Sequence, residues 1–338
     1  MKVLVLYVYH EINNRVRFFL KNAVFSDPMY DFIFIANGCD PIDVPSYVKT
    51  FRRPNVGLDF GGWSEALLTD DLYKNYTHFI FVNSSVYGPF IPMYHHGIWP
   101  EIFLQQLTDD VRIVGTSICN LTLPSHSFDP VNNAHVQSMV FVMERECLEF
   151  LITVGIFSMT HEKDFFNVVV NREIRMSREI IKHGWNIGCL LTIYKGVDFR
   201  FIDKKPSDYP IKFMKDVAQE AGTYLGSHIN PFEVIFVKGN HSIPLEWLLS
   251  YAPKKYIGDR ESRINKITSA IYGNDVRMIL VIDILKNVWL NGKDSVLVSN
   301  HTFGMDPCPN MVKTLKLTIG TNIKIYREGE TLDLSTII

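Results

Sequence analysis

The sequence predicts an α/β fold, a Rossmann-type sheet with flanking helices, followed by a small C-terminal β domain. Three observations carry that expectation. Runs such as "VLVLYVY", "YDFIFIAN" and "HFIFVN" are continuously apolar, as strands buried on both faces are. Helix-like segments fall between them, in the order that parallel sheets require. From Ile264 onward the chain turns β-rich, with short runs punctuated by Gly and Asn.

In chain order, "KVLVLYVY" is a first strand and "NNRVRFFLKNAVF" a helix. "YDFIFIAN" and "VKTFRRP" are the second and third strands, "FGGWSEALLTDDLY" the next helix and "HFIFVNSS" another buried strand. "DVRIVGTSI" and "HVQSMVFV" read as further strands, the second feeding a helix. "FFNVVVNREIRMSREIIKHGWNIGCLL" reads as a helix ending at Gly184 and leading into a strand. The pattern changes beyond Lys204, and the polar "APKKYIGDRESR" reads as a linker. The expected organisation is one domain over residues 1–250, a linker at 251–263 and a small β domain at 264–338.

The chain has 338 residues, of which 47% are hydrophobic, enough for a sizeable core. A net charge of -2, without a clustered basic run, argues against nucleic acid as a partner. No run approaches the ~18 uninterrupted apolar residues of a membrane-spanning helix, which leaves only peripheral membrane association open. The N-terminus lacks a cleavage site, and five scattered cysteines suit a reducing compartment; the expected location is the cytoplasm. The sequons at Asn75 and Asn120 carry no meaning without secretion.

Ligands of parallel α/β sheets bind at the carboxyl ends of the strands. That rule collects Tyr9, His10, Asn37, Asn55, Asn83, Ser84 and Ser85 along one rim. The nearby "GLDFGG" is neither a Walker loop nor a dinucleotide fingerprint. Gly57, Gly61 and Gly62 are either turn and packing positions or places where backbone approaches a phosphate.

"PNVGLDFGGWSEAL" followed by "FIFVNSSVYGPF" resembles glycosyltransferases of the rhamnan synthesis protein F family and related viral and bacterial capsule enzymes. The resemblance continues through "HVQSMVFV", "NREIRMSREIIKHGWNI" and "INPFEVIFVKGN", in the same order over residues 1–245. It implies a GT-A-type fold with a Rossmann-like half for a nucleotide-sugar donor, UDP- or dTDP-linked, and a second half for a glycan acceptor. Asn37 and Asp59 suit the base and ribose; backbone at Gly57–Gly62, Arg52 or Arg53, and Lys238 suit the diphosphate.

Asn83-Ser84-Ser85 stands where such enzymes carry an Asp-X-Asp metal motif, so no metal ligand is assigned there. Three alternatives stay open: no Mn or Mg at all, a carboxylate recruited from Asp59 or Asp40, or a non-catalytic copy. Glu173 matches the family's acceptor-activating acid, with Asp164 and Glu162 as rivals, or it is merely an acidic residue near a helix start. His135 and Gln137 share one face of a strand and suit acceptor hydroxyls, or His135 is structural. Trp63 and Trp185 read as core.

The C-terminal segment resembles galactose- and rhamnose-binding lectin domains of the sea-urchin egg type. The matching positions are Tyr272, Gly273, Asn300, Phe303, Gly304, Asp306, Pro307, Cys308 and Lys313, with Met305 inserted and the other disulfide cysteines missing. The combined expectation is a transferase that moves rhamnose or another hexose onto a surface or capsid glycan, in the host cytoplasm if the source is viral. The alternatives are a carbohydrate-binding protein on a degenerate transferase fold and a nucleotide-sugar-binding scaffold.

Overall fold

The computed structural model describes residues 1–92, 94–95, 97–119, 134–204, 208, 216–218, 222–239, 264–290 and 295–334. The sequon at Asn120 and the linker at 251–263 lie outside the described residues. Two compact units make up the chain: Met1–His95 with Trp99–Lys254, and Lys255–Ile338 with His96–Ile98.

The first unit is built on a seven-stranded sheet. Its strands are β1 (Val3–Tyr9), β2 (Tyr30–Asn37), β3 (Val48–Arg53), β4 (His78–Asn83), β5 (Val111–Gly115), β6 (Val140–Glu144) and β7 (Asn186–Cys189). They lie in the order β7-β5-β6-β4-β1-β2-β3. β1, β2, β3 and β4 are mutually parallel, and β7 is parallel to β5. The mostly parallel α/β sheet is therefore present. β6 runs antiparallel to both β4 and β5, a direction that its apolar run does not reveal.

That reversal matters for the rim. "HVQSMVFV" is not one strand: His135–Val136 pairs with Ile118–Cys119, the chain turns at Ser138 and Met139, and only then does β6 begin. The start of β6, not its end, thus meets the carboxyl end of β4, where Asn83 N donates to Met139 O at 3.0 Å.

Both sheet faces are covered. All seven residues of β1 are buried, and its side chains divide between two layers. Leu4, Leu6 and Val8 join the core of α2 (Leu58–Leu68), α4 (Arg145–Thr153) and α6 (Arg175–Lys182). Trp63 of α2 is central to it, edge-on to Phe81 and Phe141 at 5.4 Å from each ring. Tyr7 faces the other way, stacked at 4.2 Å on Phe19 of α1 (Asn14–Asn22), which meets Trp99 of α3 (Trp99–Leu104). α1 starts where it does because Asn13 accepts from the backbone N–H groups of Arg15 and Val16. Before α6, the chain forms α5 (Phe165–Val168) and a π-helical segment, Val169–Ile174. Among the described residues no helix is long and apolar enough to cross a membrane.

The second unit has an antiparallel sheet of β8 (Ile267–Gly273), β9 (Met278–Leu280), β11 (Thr314–Ile319) and β12 (Asn322–Arg327), in the order β9-β8-β11-β12. A separate ribbon pairs β10 (Ser295–Leu297) with β13 (Thr331–Asp333). It is not all β: Ile282–Leu290 forms α7, and Asn300–Phe303 forms the one-turn α8. Val281, Leu285 and Trp289 recur every fourth residue and are buried, a helical spacing hidden among β-like neighbours.

Candidate functional site

α2 begins with two residues in the left-handed region, Gly57 at φ 73° and Leu58 at φ 52°. This turn brings Asp59 to the end of β4, where Asn83 Nδ2 donates to Asp59 Oδ2 at 2.8 Å. Asn83 Oδ1 accepts from Ser85 N at 3.0 Å and Ser85 Oγ at 2.5 Å. An amide offers both a donor and an acceptor, so Asn83 can hold a carboxylate on one side and a serine turn on the other. An ionised Asp here could only accept, and would repel Asp59.

Glu173 comes from the π-helical segment and accepts from Ser138 N at 2.7 Å. Such segments inside α-helices frequently coincide with functional sites. Burial pushes Asp59 up to about 6; the Asn83 hydrogen bond opposes this, the negative charge of Glu173 adds to it, and His10 and Lys238 pull against it. Four segments distant in sequence therefore act electrostatically on one carboxylate. Lys238 arrives on a two-residue ribbon, Val237–Lys238 paired with Val86–Tyr87, and Gly239 N donates to Ser85 O at 2.8 Å. Among the described residues no group of three or more His, Cys, Asp or Glu is placed to hold a metal ion.

Other residues expected at the rim serve the scaffold instead. Arg53 is buried and donates to Asn37 Oδ1 at 2.9 Å, Val56 O at 2.8 Å and Glu65 Oε1 at 2.6 Å. Asn37, also buried, donates to Leu58 O at 2.9 Å. Together they brace the first turn of α2 from beneath, with both side chains turned to the protein. Register explains it: Asn37 pairs with Arg53 across β2 and β3, so both point the same way. His161 Nε2 meets the same Glu65 oxygen at 2.7 Å, and the Arg53 hydrogen bond, ahead of other causes, keeps Glu65 below the usual carboxylate range. Arg53→Ala is expected to lower unfolding stability by about 2–4 kcal/mol in denaturant titration, because it strips a half-buried ion pair and orphans two acceptors.

Tyr9 is buried, and its hydroxyl accepts from Ile42 N at 2.9 Å, anchoring the loop after β2. Arg52 is exposed and paired with Asp40 at 2.9 Å; Asn55 is exposed. A Cβ at Gly57 would come within 2.8 Å of His161 Cβ, and one at Gly62 within 2.9 Å of Val8 Cγ2. Asp164 is exposed and caps α5, with its oxygens on Asn167 N at 2.9 Å and Asn167 Nδ2 at 2.6 Å. Glu162 lies 3.7 Å from Arg172. His135 and Gln137 are both buried, and Gln137 is spent at both ends, on Ser117 Oγ at 2.5 Å and Asp216 Oδ1 at 3.0 Å. Ser84 is buried, its backbone N donating to Val8 O at 2.9 Å. Trp63 is core, and Trp185 packs against that core while partly buried.

One rim residue escapes the sequence reading. Arg15, in the first turn of α1, donates through Nε to Ser84 O at 2.7 Å. No motif marks it; the only signal is a cation in the first turn of the first helix.

In the second unit, Tyr272 Oη donates to Asn300 Oδ1 at 2.9 Å. Lys313, buried, reaches Asp306 at 3.2 Å and Glu328 at 3.3 Å. Burial first, then Glu328, holds the Tyr272 phenol above its ordinary range. Four residues singled out over a span of 42 positions thus form one polar cluster, with Glu328 added. Cys308, a free thiol, donates to Asn274 Oδ1 at 3.1 Å and Arg277 O at 3.2 Å.

No protein-family model matches this sequence, and no curated protein matches it either.

Proposed function

We propose that the first unit is a GT-A-type glycosyltransferase that moves a sugar from a nucleotide diphosphate to a glycan hydroxyl. The observation that carries this is the convergence of Asp59, Asn83, Glu173, His10 and Lys238 at the carboxyl end of β4. The strand order 3-2-1-4 beneath it is that of a mononucleotide-binding half, whose ligands sit at that end.

In transfer, the acceptor oxygen bonds to the anomeric carbon as the bond from that carbon to the diphosphate oxygen breaks. The electron pair leaves with the diphosphate. The hydroxyl proton passes to the Asp59–Glu173 pair, in which Asp59 has the raised proton affinity that a base at neutral pH needs. Positioning and charge stabilisation supply the rest. Two carboxylates fit a Mn or Mg ion only if the diphosphate contributes further oxygens. Asp59 and Glu173 would then hold it in place of taking the proton, and its charge would offset the leaving group. Rhamnose, for a surface or capsid glycan, is the sugar the sequence resemblance favours.

A second reading, a carbohydrate-binding protein on a degenerate transferase fold, draws on the Tyr272–Asn300 and Lys313–Asp306 contacts of the second unit. Calorimetric titration with UDP, dTDP and GDP, each with and without manganese, separates the two. The transferase reading expects one nucleotide to bind; glycan binding with no nucleotide binding would replace it with the second.

A further inference from the structure

Arg15 differs from the structural arginines of this chain. Arg53 and Arg172 spend their terminal nitrogens on the protein: Arg53 on Asn37, Val56 and Glu65, and Arg172 on the carbonyls of Gly155, Ile156 and Thr160. Arg15 uses only Nε, on Ser84 O. Among the described residues its terminal nitrogens make no hydrogen bond, and the nearest carboxylate is exposed Glu11, at 3.9 Å. The stem is fixed all the same. A Cβ at residue 239 would lie 2.5 Å from the Tyr87 ring and 2.8 Å from Arg15 Cδ, so the arginine stem packs beside Tyr87 against the ribbon that delivers Lys238. Lys238 Nζ likewise has no ion pair among the described residues, while its charge is felt at Asp59.

We infer that Arg15 and Lys238 form a two-cation clamp for a diphosphate over the Ser84–Ser85 turn, an assignment that rests on the transferase reading. A guanidinium presents its nitrogens as a planar fork matched to phosphate oxygens, and a lysine supplies a mobile point charge. The two cations answer the two phosphates of a nucleoside diphosphate. Lys238 acts on Asp59, so the clamp lies within electrostatic reach of the carboxylate that takes the proton.

Inorganic pyrophosphate is the probe, titrated by calorimetry into the full chain alongside UDP, dTDP and GDP. Wild type is expected to bind pyrophosphate more weakly as salt rises. Arg15→Gln and Lys238→Met each weaken it about tenfold or more, and Arg15→Lys less than Arg15→Gln. Thermal unfolding of each variant checks folding. If Arg15→Gln is unstable, Lys238→Met carries the test, since its Nζ makes no ion pair among the described residues. Pyrophosphate binding with no nucleotide binding supports the clamp and sinks the transferase reading. Nucleotide binding by wild type that neither substitution weakens overturns the clamp and leaves that reading standing. No binding of pyrophosphate overturns the clamp.

Discussion

Replacing Asp59 with Asn is expected to make the protein more stable and, on the transferase reading, to slow transfer sharply at the same time. The ordinary value for this carboxyl is 3.8, and the fold raises it to about 6, chiefly through burial. The folded chain therefore binds the Asp59 proton more tightly than the unfolded chain does. The stability this contributes is fully present below about pH 4 and is lost as pH rises through about 6. Proton affinity raised to that extent corresponds to about 3 kcal/mol as an upper bound. Because Asp59 is only partly buried and opens α2, where an anion is favoured, about 1–2 kcal/mol is expected at pH 7.5. An amide at residue 59 still accepts from Asn83 Nδ2, so the bracket survives. Donor turnover should fall about a hundredfold or more with the loss of the proton acceptor. Urea titrations of both proteins between pH 4 and pH 8 check the first part: the gap should open across that window. A variant less stable than wild type at pH 7.5 would make Asp59 a structural helix-start residue, not a strained catalytic one.

The strands are legible because burial on both faces leaves an unbroken apolar run, and β1, β2 and β4 have one. Strand direction leaves no such trace, which is why antiparallel β6 and the turn at Ser138 and Met139 do not show in the sequence. Site residues are legible where a polar group ends an apolar strand and meets the rim, as Asn83 does. The same rule misleads at Asn37 and Arg53, whose side chains turn under α2. Of the pair in "RRP", register alone decides that Arg53 is buried and Arg52 is not. Arg15 is invisible for the opposite reason: it lies inside a helix, and its position depends on the Val237–Lys238 ribbon more than 200 residues later.

The two meanings left open for the glycines of "GLDFGG" make different predictions, and Gly61→Ala decides between them. A Cβ at residue 61 would lie 2.1 Å from the carbonyl oxygen of Val56 and 3.2 Å from Arg53 Nη2. The first is backbone and cannot swing away, so the start of α2 must shift. Arg53 donates to that same carbonyl at 2.8 Å, which couples the shift to the half-buried Arg53–Glu65 pair. Overpacking alone costs about 1–3 kcal/mol, and disturbing the ion pair raises the expected total to about 3 kcal/mol or more. Gly155→Ala is the control: nothing lies within 4 Å of its Cβ position, though its φ is +80°. Left-handed strain alone should cost it about 1 kcal/mol. If Gly61 were needed only for backbone approach to a phosphate, Gly61→Ala would unfold like wild type and lose pyrophosphate affinity alone. The packing role instead requires the unfolding midpoint to drop first. Nucleotide affinity should fall with it, because Asp59 lies two residues before the displaced position.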